Sequence, residues 1–141
     1  DEKSIDPKNL QKLMEAGFTP VFCAITHDGE GQLLNTNADT IASALGVALS
    51  KLFETTLIYC FEKKGVLQDI NDENSLIREI DPDRYEELKK EQIIHSGMLP
   101  KLDNAFTAIN CGVKAVIIGH SDDLGQLKQK QPFGTRLSNK K

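Results

Sequence analysis

The chain has 141 residues, 39% of them hydrophobic and 27% charged, with a net charge of −4. That balance suits a globular domain with a sizeable core and excludes a disordered chain. No basic patch interleaved with aromatics offers itself to nucleic acid, and no apolar run approaches the ~20 residues of a membrane span.

Asp1-Glu2-Lys3-Ser4 is polar, so no signal-peptide pattern opens the sequence. Cys23, Cys60 and Cys111 lie far apart, form no CxxC pair and sit among apolar neighbours. Reduced, buried thiols in a cytoplasmic protein are the expectation.

Asp6-Pro7 predicts a helix start, since Asp accepts from free backbone N–H groups and Pro at the first position gives up a donor without a partner. Leu10, Leu13 and Met14 follow helical spacing and Gly17 ends the run. Residues 20–26 (PVFCAIT) predict a buried strand; His27-Asp28-Gly29-Glu30-Gly31 is a turn and residues 32–34 a short return strand. From Asn37, Ile41, Leu45 and Leu49 repeat every four residues, with Ala38, Ala42, Ala44 and Ala48 allowing close approach to a sheet. Residues 55–61 (TTLIYCF) predict a strand covered on both faces, left by a Lys63-Lys64-Gly65 loop. Residues 76–80 suggest a short strand, and Asp81-Pro82 opens a charged, mostly exposed helix. After an irregular Ile93-Ile94-His95-Ser96-Gly97-Met98 stretch, Leu102, Ala105, Phe106 and Ile109 mark a helix ended by Gly112. Residues 113–118 (VKAVII) are another covered strand, Gly119 to Asp123 a loop, and Gly134-Thr135-Arg136-Leu137 a final short strand. Helices alternating with covered strands predict an α/β fold with a mainly parallel sheet layered between helices.

The familiar chemical signatures are missing. Neither GxxxxGK[ST] nor GxGxxG occurs. His27, His95 and His120 have no metal-ligand spacing with each other or with the cysteines, so no protein-held metal is expected. Ser96 beside His95 is adjacency rather than a triad. What remains is a set of loops at strand ends, where open α/β sheets bind ligands. Asn35-Thr36-Asn37-Ala38-Asp39 follows a strand and opens a helix, whose free N–H groups and dipole favour an anion. Asp39 would repel that anion unless a cation stood between them, and Lys101 in HSGMLPKLDN is the economical candidate. The plain alternative, that Asn37 caps the helix and Asp39 complements its dipole, stands equally at this point. Lys63-Lys64-Gly65 reads either as a phosphate loop or, more simply, as a solvated turn.

NTNADTIASALGVAL, KKGVLQD, SLIREI, SGMLPKLDNAFTAINCGVKAVIIG and FGTRL follow one another in order. Together they resemble the C-terminal half of the acetylglutamate kinase branch of the amino acid kinase family, from about Ile5 to Leu137. N-x-N-A-D and G-M-x-x-K at this separation are the specific pair. The resemblance implies transfer of phosphate from ATP, with Mg²⁺, to the side-chain carboxylate of an N-acylated glutamate in arginine biosynthesis. It implies that Asn35, with Asn37, meets the amino-acid substrate, that Asp39 holds lysines in place, and that Lys101 neutralises the phosphoryl group in flight. Glu62, Lys63, Lys64, Gly65, Val66 and Leu67, with Ile93, Ile94 and His95, would contact ATP. An acceptor carboxylate is already ionised at pH 7 and needs no general base.

Two departures qualify this. The family's N-terminal half, with its Lys-Gly-Gly loop, Gly-Gly substrate loop, substrate-binding arginine and dimer contact, lies outside these residues. The 141-residue chain is therefore expected to be one nucleotide-binding domain that binds nucleotide weakly and does not turn over, the full-length form being a homo-oligomer. The usual Thr-Asp-Val-Pro-Gly loop reads Phe61-Glu62-Lys63-Lys64-Gly65, which leaves adenine contacts open. Alternative readings are a non-catalytic nucleotide-binding module, or a kinase for another acceptor such as N-succinylglutamate.

Overall fold

A computed structural model describes residues 5–94, 97–129 and 131–140. Helix α1 (Pro7–Glu15) begins as its sequence predicts: the Asp6 carboxylate accepts from the Lys8 and Asn9 backbone N–H groups at 3.0 and 3.1 Å. A small hairpin follows. Its strands β1 (Ile25–His27) and β2 (Leu33–Asn35) pair antiparallel with Thr26 opposite Leu34. The turn between them is held by the Asp28 carboxylate, which accepts from Glu30 and Gln32 at 2.7 and 3.1 Å.

The buried strand expected over residues 20–26 is corrected here. Pairing begins only at Ile25, and Val21 and Phe22 are 90% and 49% exposed. An apolar run is not enough for a strand; its N–H and C=O groups need a neighbour. Among the described residues this run finds only the three-residue β2.

The main sheet has four strands in the order β3-β5-β6-β4. β3 (Thr56–Phe61) runs parallel to β5 (Ala115–His120), and β4 (Glu79–Ile80) parallel to β6 (Thr135–Leu137). β6 joins β5 antiparallel, Ile117 facing Arg136, so the sheet is mainly but not wholly parallel. β5 starts two residues later than its apolar run, because the Val113 N–H still closes the preceding helix on the Ala108 carbonyl.

Helices α2 (Ala38–Ser50), α3 (Pro82–Lys90) and α4 (Leu99–Asn110) supply much of the remaining core. Leu57 and Tyr59 of β3, Val116 and Ile118 of β5, Ile80 and Leu137 meet Tyr85 and Leu88 of α3 and Leu102, Ala105, Phe106 and Ile109 of α4. Ala42 and Val47 of α2 pack against this cluster. A second correction concerns β3. Leu57 and Tyr59 are buried, but Thr56 and Cys60 are exposed and Ile58 is half-buried, so only one of its faces is covered. β5, paired on both sides, is the strand that meets the two-face expectation: its residues 115–119 are all buried.

The cysteines overturn a third expectation, since Cys23, Cys60 and Cys111 are free and exposed. Apolar neighbours in sequence do not decide which way a side chain points. Cys60 shares the open face of β3 by its period of two, Cys111 sits just past the end of α4, and Cys23 belongs to the unpaired run. After β5 come a 3₁₀ turn at Ser121–Leu124 and the short α5 (Gly125–Lys128). No helix among the described residues is long and apolar enough to cross a membrane.

Candidate active site

Two helix N-termini carry the charged residues singled out above. At α2 the Asn37 side-chain oxygen accepts from the Asp39 and Thr40 N–H groups at 2.8 and 3.3 Å, an ordinary cap. Asp39 stands at the second position, where a carboxylate complements the dipole. α4 begins differently: Met98 gives no side-chain cap, and Pro100 occupies its first turn together with Lys101. A cation there opposes the helix dipole and needs a counter-charge.

Asp39 provides it. The Lys101 ammonium donates to Asp39 Oδ2 at 2.5 Å, their side chains being 17% and 35% exposed. Of the two readings left open by the sequence, capping and pairing both hold: Asn37 caps, and Asp39 turns to the lysine. The Lys101 ammonium also lies 5.0 Å from the centre of the Tyr59 ring. An ammonium, a carboxylate and two positive helix ends thus share one region, an arrangement suited to a polyanion.

One turn before Lys101, Met98 helps line a cavity of about 240 Å³ with Phe61, Glu62, Lys63, Gly65, Val66, Leu67, Ile70, Ile93, Ile94 and Gly97. Both expected nucleotide segments, the loop after β3 and the stretch before α4, therefore border one space. Its walls are largely apolar, as ligand sites commonly are. Lys64 is not among the lining residues and pairs instead with Glu73 at 3.4 Å, both side chains more than half exposed. His95 falls outside the described residues. Asn35 ends β2 opposite Ile25 and is exposed. A shallower, more open hollow of about 450 Å³, lined by Cys60, Phe61, Glu62, His120 and Ser121, adjoins at the ends of β3 and β5.

The loop after β3 is held by backbone bonds, such as Ile77 N–H to the Val66 carbonyl at 2.9 Å, and by one buried hydroxyl. Thr135 Oγ1, fully buried, accepts from the Val66 N–H at 2.8 Å and donates to the Ile77 carbonyl at 2.7 Å. Gly65 has φ +152°, and a Cβ there would fall 2.5 Å from that same oxygen. Only glycine lets the backbone pass so close.

Sequence reasoning missed Tyr59, Ser43 and Ile70. Tyr59 is buried, its hydroxyl 2.7 Å from Ser43 Oγ, and burial pushes its phenol above the ordinary value. One signal was available: a tyrosine on the core-facing register of a largely apolar strand needs a buried partner for its hydroxyl.

A mainly parallel sheet with helix N-termini converging beside an apolar cavity describes an α/β domain of the kind that binds ligands at its strand ends. The chain belongs to the amino acid kinase family, whose sequence model matches residues 1–120. It is 51% identical over 138 residues to the acetylglutamate kinase of Cytophaga hutchinsonii, covering 97% of this chain and 52% of that protein. With the acetylglutamate kinase of Bacteroides thetaiotaomicron it shares 51% over 118 residues, 84% of this chain and 46% of the relative. Among solved structures, N-acetylglutamate synthase from Neisseria gonorrhoeae superimposes with a TM-score of 0.80 at 20% identity, over 96% of this chain and 31% of that one. That likeness is one of fold. The chain spans about half the length of the curated relatives it matches.

Proposed function

We propose that the chain is the single nucleotide-binding domain of a kinase that passes the γ-phosphoryl group of ATP to the side-chain carboxylate of an N-acylated glutamate, as an acetylglutamate kinase in arginine biosynthesis does. The observation that carries this reading is the 2.5 Å contact of Lys101 with Asp39, one helical turn from the cavity. In it, ATP occupies that cavity, its base against Phe61, Val66, Ile94 and Met98, and its phosphates run toward the start of α4.

On this reading each residue takes the role that the family resemblance implies for it. Lys101 neutralises charge on the phosphoryl group as it moves, and Asp39 keeps the ammonium aimed without taking a proton. Asn35 and Asn37 face the acceptor, Asn37 through its amide nitrogen, since its oxygen is engaged at the cap. The acceptor is ionised at neutral pH, so catalysis rests on alignment and charge stabilisation. Mg²⁺ fits as a companion of the ATP phosphates. Among the described residues no three His, Cys, Asp or Glu side chains gather to hold a metal, and magnesium commonly binds through phosphates and retained waters. When bound, it neutralises phosphate charge. The remaining acceptor contacts, and those of a homo-oligomer, fall to residues beyond this chain, and the work is cytoplasmic.

Two measurements test this. ATP added to the isotopically labelled chain should perturb the amides of Glu62, Gly65, Val66, Ile94 and Gly97, and shifts confined elsewhere would refute the site. In the full-length kinase, Lys101→Ala should lower kcat by orders of magnitude while KM for ATP barely moves. An unchanged kcat would leave Lys101 a surface residue.

A further inference from the structure

Lysine is a flexible residue, with four rotatable bonds behind its charge, and a single carboxylate can be satisfied from many of its rotamers. A phosphoryl-stabilising ammonium must nevertheless sit at one point before the reaction begins. Lys101 meets a further difficulty, because the first turn of α4 repels its charge. Something besides Asp39 must fix it.

Tyr59 stands in the right place. The Lys101 ammonium is 5.0 Å from its ring centre, inside the range of a cation–π contact. The ring is only 3% exposed. Its hydroxyl lies 2.7 Å from Ser43 Oγ and donates to the Asp39 backbone carbonyl at 3.4 Å. Ser43 follows Asp39 by one helical turn, so both anchors lie on one face of α2. The phenol, raised by burial, stays a neutral donor at physiological pH, with Ser43 acting against that rise and the Asp39 charge adding to it.

We propose that Tyr59 is a positioning residue for Lys101: its ring is a platform under the ammonium, and its hydroxyl bolts that platform to the same helix that carries Asp39. The ammonium is held from two directions, by a carboxylate at its tip and a π face beneath. Both supports trace back to α2, so carboxylate, ring and ammonium move as one unit. This deepens the kinase reading and rests on it for its catalytic consequence, but the geometric claim stands on its own.

The test has two parts, chosen so that the two claims fail separately. In the 141-residue chain labelled with ¹³C-lysine, the Lys101 Hε resonances should lie upfield of the other lysines because of the ring current. They should keep part of that shift in Tyr59→Phe, which retains the ring but not its anchor, and lose it in Tyr59→Leu. A wild-type Lys101 at the ordinary lysine position overturns the platform without any variant having to fold. In the full-length kinase, Tyr59→Leu should lower kcat about tenfold, the size of one desolvated cation–π contact, with KM for ATP unchanged. Tyr59→Phe should recover most of that loss, because it keeps the ring. Equal losses in Phe and Leu, or a rise in KM alone, overturn the proposal. If Lys101→Ala abolishes turnover while Tyr59→Leu leaves kcat intact, the positioning claim fails alone. If Lys101→Ala is itself harmless, the kinase reading fails, and the ring-current shift still decides the platform.

Discussion

Asp39 and Lys101 lie 62 residues apart in the chain, yet their charged tips touch at 2.5 Å across the junction of α2 with α4. Neither is fully buried, so solvent screens the pair, but removing one partner leaves the other charge half out of water. Asp39→Asn and Lys101→Met should each destabilise the fold by about 1–2 kcal/mol, and the double variant by less than their sum. Urea denaturation of the four proteins reads the coupling. Strict additivity would mean that the contact does not persist in solution.

Thr135 gives a sharper case, because its hydroxyl both accepts from Val66 and donates to Ile77 with no solvent nearby. Thr135→Val conserves volume but strands an N–H and a carbonyl, which should cost about 2–4 kcal/mol. Thr135→Ser keeps both bonds and should cost ~1 kcal/mol for the lost methyl group. The loop after β3 should also become cleavable by protease in the valine variant and not in the serine one. Equal stability of the two variants would show that the hydroxyl does not hold the loop.

Tyr85 predicts how the fold behaves in alkali. Its ring stacks on Phe106 with centres 5.1 Å apart, and its hydroxyl donates to Asp103 Oδ1 at 2.7 Å. Burial, and then the neighbouring Asp103 and Glu86 charges, push the phenol well above its ordinary value of 10.0. The unfolded chain therefore loses this proton first. The stabilisation is complete below pH 10 and is lost as pH rises beyond it toward the folded value. Urea midpoints measured from about pH 8 to 11.5 should fall at the alkaline end, and Tyr85→Phe should flatten that fall. An equally steep decline in the phenylalanine variant would assign the loss to other groups.

The thiols offer the simplest check. Cys23, Cys60 and Cys111 are all free and exposed, so a thiol reagent added to the native 141-residue chain should label all three before any unfolding. Labelling that appears only in denaturant would restore the buried setting their neighbours suggest.

Much of the fold was legible because its helices announce themselves locally. Asp6-Pro7, Asn37 and Asp81-Pro82 place caps that need nothing distant, and α1, α2 and α3 begin at them. Strands were less legible because pairing is not local. The apolar run at residues 20–24 finds no ladder among the described residues, and nothing in its composition shows that. The same blindness hid the open face of β3, since Thr56, Ile58 and Cys60 look as apolar as their buried alternates. For the site, the motif pair led to Asp39 and Lys101, and the fold brings them together. Tyr59 could not be read this way, because a ring beneath an ammonium depends on how β3 passes under two helices.

β5 lies between β3 and β6, with residues 115–119 buried on both faces. A ladder shielded in this way opens only when the whole domain comes apart. In deuterated water the amides of Val116, Ile117 and Ile118 should be the last to exchange. Their lifetimes then measure global stability, while those near Asn35 and Glu62 report local breathing at the entrance to the proposed site.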